Sequence, residues 1–258
     1  MGTSKGYKMP TGGDWAPLKR EATQYAQDVG FKRVSPKSLL LHYVRVRSNP
    51  DRQSSLNTGN GGGNGSGGGG GRTGGWSAGV AAAQNVGTFF SRVGVLGLRE
   101  ALREAGLGDL VGHSAADVSA ALLDRLAGPA STLDQDAARR ALVDLNDELL
   151  ADAQTFEDVE RALAAAIDQR GLLEILMRFF GHYLYECFCR DFYERLDKRV
   201  GSSQAAQSLK GIRDCIEAAT RAKLVGRDKS TFDWRGADGK RLAEEILGEV
   251  LDIFEITT

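Results

Sequence analysis

The sequence predicts an all-α protein: an irregular multi-helix bundle with a flexible N-terminal tail and an internal Gly-rich linker. Three observations lead there. From residue 76 onward, apolar residues recur at three- and four-residue spacing in segment after segment. Helix start and stop signals punctuate those segments. Alternating β-branched runs are nearly missing, with "HYVRVR" at 42–47 the one candidate.

Residues 1–13 ("MGTSKGYKMPTGG") are polar and Gly-rich and read as a flexible N-terminal tail. Residues 14–50 form a small basic helical segment. In its first helix Asp14 is placed to cap, Trp15, Leu18, Ala22 and Tyr25 form a stripe, and Gly30 is placed to end it. Its second helix starts at "SPKSLLL", with Ser35 as N-cap and Pro36 at the first helical position. The alternation in "HYVRVR" leaves a strand open at the end of that helix. Residues 51–75 read as a Gly-rich disordered linker, because 12 of the 33 glycines fall within 59–75 and glycine loses the most backbone entropy on ordering.

Residues 76–258 form the main helical domain. Its first helix runs from Trp76 to a break at Gly106 and Gly108. Ser114 with Asp117, and Thr155 with Asp158, look like capping boxes in which the usual Glu or Gln is replaced by Asp. "STLDQDAARRALVDLNDELLADA" is amphipathic. The most apolar element, "GLLEILMRFFGHYLYECFCRDFYERLDKRVG", is expected to be the central helix. "SQAAQSLKGIRDCIEAATRAKLVG" supplies another helix, and Leu242, Ile246, Leu247, Val250, Leu251 and Phe254 stripe the last.

Length and composition narrow the class. The chain has 258 residues, 41 % of them hydrophobic, which suffices for a substantial core. The net charge of −1 conceals +8 over residues 1–100 and −9 over the remainder. A basic first part suits an acidic partner, nucleic acid, or the acidic half of the same chain, though a solvated charged surface is the commoner meaning of such a bias. Cys187, Cys189 and Cys215 make an odd count on helical segments, which is not a disulfide framework and fits a reducing cytoplasm. No stretch nears the ~20 apolar residues of a membrane span. The N-terminus lacks the apolar core of a secretory signal. The expectation is a cytoplasmic protein without a membrane partner.

Catalytic motifs are tested and fail. His182 and Glu186 share a helix face by spacing. The nearby Cys187 and Cys189 project about 200° apart at ~100° per residue, so they do not chelate one ion. The three cysteines are read as packing residues, as are the aromatics Tyr183, Tyr185 and Phe188. His42 and His113 have no partner that spacing names. Asp233 and Trp234 read as a cap and an aromatic anchor for the last helix. "GGGRTGG" carries Arg72-Thr73 where a phosphate loop needs Lys followed by Ser or Thr, and no strand precedes it. No cofactor or metal of its own is expected, and the chain is not read as an enzyme.

Six stretches taken together, "MGTS", "GLREALREAGLGDLVGHSAADVSAALLDRLAG", "STLDQDAARRAL", "FFGHYLYECFCRDFYERL", "FDWRGADGKRLAEEIL" and the Gly-rich region before them, resemble the QatB family of the bacterial Qat anti-phage system. The resemblance covers the N-terminal tip and about 76–254, and is looser over 14–50 and the linker. It implies a four-gene context with an ATPase (QatA), a QueC-like enzyme (QatC) and a TatD-like nuclease (QatD), in which QatC is the expected partner and QatA and QatD are further candidates. It further implies that QatC attaches a deazaguanine to the N-terminal glycine, here Gly2 after loss of Met1, with Thr3 and Ser4 as recognised neighbours. N-myristoylation is set aside, since its motif wants Ser or Thr where Gly6 stands. Two other readings stay open: a scaffold that assembles the Qat components unmodified, and a nucleic-acid module using Lys32, Arg33, Lys37, Arg45 and Arg47. The acidic C-terminal part argues against direct nucleic-acid contact.

Overall fold

The computed structural model describes residues 10, 13–28, 33–49, 74–128, 130–224, 234 and 236–255. Among the described residues are nine α-helices, two 3₁₀ turns and no strand. The helices are α1 (Trp15–Gln27), α2 (Pro36–Arg47), α3 (Ser77–Leu96), α4 (Leu98–Glu104), α5 (Ala115–Ala127), α6 (Leu133–Leu150), α7 (Phe156–Val200), α8 (Ser202–Leu224) and α9 (Gly236–Glu255). Most of the tail and of the linker lies outside the described residues. So do Gly30, Lys32, Arg72, Thr73 and Asp233.

The helix signals act largely as their chemistry requires. Ser35 Oγ accepts the Ser38 N–H at 3.0 Å ahead of Pro36. Ser114 and Thr155 cap α5 and α7; Asp158 closes its box on the Thr155 N–H, whereas Asp117 accepts the Ser114 hydroxyl. At α7 the Asp158 carboxylate accepts the Thr155 N–H, the Thr155 hydroxyl and the Gln154 N–H, which hold its pKa down at about 2. A full Thr/Gln capping box at Thr132 and Gln135 starts α6.

Two local expectations change, at Asp14 and Gly97, and three others resolve in finer detail. Asp14 occupies the N-cap position of α1 but makes no side-chain cap bond, because its backbone is already helical (φ −78°, ψ −19°) and a capping side chain needs an extended backbone. The alternation of "HYVRVR" resolves as helix: Leu39, Leu40, Tyr43, Val44 and Val46 are all buried, which is one helical face. The expected helix from Trp76 to Gly106 is cut at Gly97, which adopts φ +80° and ψ 165°, a conformation only glycine takes readily. The break expected at Gly106 is a Schellman end, with Gly106 N–H donating to Arg103 O and Leu107 N–H to Leu102 O. Finally, Gly171 (φ 78°) interrupts α7, so its two sequence segments meet at a kink.

The chain groups into two compact units, residues Met1–Gly75 with Phe188–Cys215, and Trp76–Cys187 with Ile216–Thr258. The second half of α7 and most of α8 therefore fold with α1 and α2. In this first unit Trp15, Tyr43, Phe188 and Phe192 make an aromatic core, with Phe188 and Phe192 rings 4.6 Å apart and Tyr43 edge-on to both. Trp15 joins them at 6.3–6.4 Å from Tyr43 and Phe192. Full burial of each such ring is worth about 1.5–3 kcal/mol. Tyr25 OH donates to the Ser208 carbonyl at 3.2 Å, and burial first, then the nearby Cys215 and Asp214, push its phenol up.

The second unit is organised on α3, which packs against α4, α5, α6 and α9. Glycines allow close approach there. A Cβ at Gly79 would sit 2.1 Å from the Tyr183 ring, and one at Gly87 would sit 2.2 Å from Trp234. Trp234 is 2 % exposed and its carbonyl accepts from the Thr88 hydroxyl, so it anchors the chain ahead of α9 onto α3. Tyr183 stacks on Phe179, meets Trp76 edge-on at 6.0 Å, and donates to Asp134 at 2.9 Å.

Candidate functional site

Gly2, Thr3 and Ser4 lie outside the described residues. The described residue nearest to them is Pro10, which is buried. Its carbonyl accepts the Lys19 ammonium at 2.7 Å. The chain is thereby tied to α1 eight residues after Gly2.

Lys19 opens onto a groove of about 300 Å³ in the first unit, lined by Lys19, Arg190, Asp191, Glu194, Arg195, Lys198 and Arg199. Only Lys19 comes from α1; the others lie on the last three turns of α7. Arg195 fixes the two helices together, since its Nε donates to the Lys19 carbonyl and to Thr23 Oγ1, both at 3.2 Å. Five cations and two carboxylates thus face one space, and both carboxylates are already engaged. Glu194 pairs with Lys198 along the helix. Asp191 is 1 % exposed and accepts from Tyr43 OH at 2.7 Å, from Arg190 Nε at 2.8 Å and from Arg47 at 3.4 Å. A buried carboxylate needs such company, because an unpaired one costs several kcal/mol.

The remaining cations press on one another. Burial first, and then the Arg195 guanidinium, lower the ionisation of the Lys19 ammonium. Burial and then Arg199 do the same to Arg195. An anion entering the groove offsets the repulsion between these cations. Counted over the whole first unit, 17 Lys and Arg meet 8 Asp and Glu, a net +9, so the second unit carries −10.

The other residues singled out by spacing fall elsewhere. His182 faces away from any metal set: Nε2 is 3.4 Å from Glu148 and Nδ1 is 3.8 Å from Asp144, both on α6. Glu148 also meets Arg170 at 3.0 Å and Arg178, which in turn binds Glu174 at 2.7 Å. The hydrogen bond from His182 leads in holding the Glu148 carboxyl below its ordinary value, helped by Arg178 and Arg170 against partial burial. This network ties α6 to α7. No group of three or more metal-ligating side chains exists among the described residues. Cys187 is buried; Cys189 and Cys215 are half-buried, and burial pushes the Cys215 thiol up. His42 finds Glu21 at 2.6 Å, joining α1 to α2, and His113 sits 3.9 Å from Asp117.

Of the five basic residues proposed for nucleic acid, Lys32 lies outside the described residues and Arg47 is turned inward onto Asp191. The groove was missed from spacing, although Arg195, Lys198 and Arg199 stand at i, i+3 and i+4 on α7. No described helix is long and apolar enough to cross a membrane.

No match was found among curated proteins or among solved structures. Residues 67–254 match the family model for "Qat anti-phage system associated protein QatB". That match spans both halves of α7, the α3-centred unit as far as residue 254 and the groove-bearing turns, and with it the chain belongs to the QatB family and is a component of the Qat anti-phage defence system.

Proposed function

We propose that this chain is a non-enzymatic partner and protein substrate of the QueC-like enzyme QatC, which attaches a deazaguanine to the Gly2 amine after removal of Met1. The observation that carries the reading is the pairing of family membership with the anchored tail. Lys19 holds Pro10, and the eight residues from Gly2 to Met9 contain no carboxylate and no large aliphatic residue except Met9. Extended, they reach at most about 27 Å from Pro10 at ~3.4 Å per residue, enough to enter a partner's active site.

The chemistry favours this amine. An α-amine titrates at about 7.7–8.0 and a Lys side chain at about 10.4, so near pH 7 the terminal nitrogen is the more available nucleophile. It attacks an activated carbon of the deazaguanine. A C–N bond forms, the activating group leaves with its bonding pair, and the nitrogen releases a proton to solvent, giving an amide-like or amidine-like link. Thr3 and Ser4 present only small hydroxyls beside it. The activation belongs to the enzyme, and this chain needs no cofactor of its own. On this reading the ATPase QatA and the TatD-like nuclease QatD are further candidates for the same assembly, which works in the cytoplasm.

Intact mass after co-expression with QatC tests the reading. The expected result is one added deazaguanine on wild type and none on Gly2→Pro, whose secondary amine is hindered. Unmodified wild type, or phage protection that survives deletion of residues 2–9, overturns it in favour of the unmodified scaffold.

A further inference from the structure

We propose that the cationic groove beside the tail root docks a carboxylate-rich face of the enzyme that takes up the N-terminal amine. This deepens the reading of Gly2 as the acceptor and rests on it. The groove has three properties that select its occupant. First, its cations outnumber its carboxylates five to two, and with Arg190 held by Asp191 and Lys198 paired with Glu194 the surplus rests on Lys19, Arg195 and Arg199. Second, from Arg190 to Arg199 the lining runs along nine residues of helix, about 14 Å at ~1.5 Å per residue. That exceeds one phosphate and suits a row of carboxylates, which Arg forks bind two oxygens at a time. Third, Glu194 and Asp197 interrupt the exposed cations along α7. A patterned surface of both signs fits a protein face, whereas a phosphate backbone selects uninterrupted positive charge.

Position gives the groove its purpose. Lys19 contributes to the lining and also binds the Pro10 carbonyl. A protein seated in the groove therefore lies within the tail's ~27 Å reach, and docking turns the meeting of amine and active site into a tethered event with a raised effective concentration.

The test uses the full chain and co-expressed QatC, with three variants: Arg195→Glu with Arg199→Glu, the exposed Lys198→Glu alone, and Gly2→Pro. Binding is read by titration calorimetry at two salt concentrations, and modification by intact mass. Each variant is first matched to wild type by circular dichroism and melting temperature. The double variant is expected to weaken the complex by about tenfold or more, with a shallower salt dependence, and its modification is expected to recover at high enzyme concentration. Lys198→Glu, should the double variant misfold, is expected to shift affinity in the same direction by a smaller factor. Gly2→Pro is expected to bind like wild type while gaining no mass. Unchanged affinity and modification in the charge variants overturn the proposal, as does groove-dependent binding of a 20-residue single-stranded DNA with none of the enzyme. Lost binding in the double variant together with unmodified wild type leaves the docking groove standing and removes the acceptor reading of Gly2.

Discussion

Asp191 shows how much one side chain organises. It is a carboxylate at the edge of the aromatic core, 1 % exposed, and it is tolerable there because Tyr43, Arg190 and Arg47 all donate to it. The Tyr43 and Arg47 bonds join α2 to α7, and the Arg190 bond holds that guanidinium at the groove. Tyr43→Phe removes one donor and leaves the ring packing intact. The expected cost is about 1–2 kcal/mol, since one oxygen loses its neutral partner while the guanidinium bonds remain. Urea denaturation of the purified variant checks it, and an unchanged unfolding midpoint would mean that Tyr43 acts through its ring alone. Lys19 is the comparable residue on α1: one ammonium ties down Pro10 and lines the groove.

At the scale of elements, the helices are held at close range by absent side chains as much as by present ones. α3 meets Tyr183 of α7 across Gly79 and Trp234 across Gly87. Gly79→Ala places a methyl where the Tyr183 ring now lies, and ring and helix must separate. Overpacking of this kind costs about 1–3 kcal/mol, more than the ~1 kcal/mol that alanine gains over glycine within a helix. The expected outcome is a lower melting temperature and a changed near-UV spectrum from Tyr183 and Trp76; a variant more stable than wild type would show that the helices are free to shift. Capping was legible from sequence at Ser35, Ser114 and Thr155, because the acceptor side chain and its target N–H are at most three residues apart. Asp14 and the Gly97 break were not. The first depends on a backbone angle that neighbours set, and the second is one glycine among several in a helical pattern.

For the whole molecule, the partition of charge is the main consequence of the fold. The sequence reading divided the charge at residue 100, as +8 and −9. Folding returns residues 188–215 to the N-terminal unit and sharpens the division to +9 and −10. A chain of net charge −1 with two such units is expected to be retained at neutral pH and low salt on both cation- and anion-exchange resins. It should elute from both as salt rises, because the Debye length falls from ~30 Å at 0.01 M to ~8 Å at 0.15 M. Flow-through on the cation exchanger would show that the positive unit offers no usable surface.

Helix class, most helix starts and the apolar stripes were determined by the sequence alone, since each rests on spacings of one to four residues. The pairing of the first segment with the far end of α7, the burial of Asp191, the diversion of Arg47 from the surface, and the gathering of Lys19 with Arg195 and Arg199 were decided only by tertiary structure. Those contacts join residues more than 140 positions apart, a separation over which no local periodicity carries information.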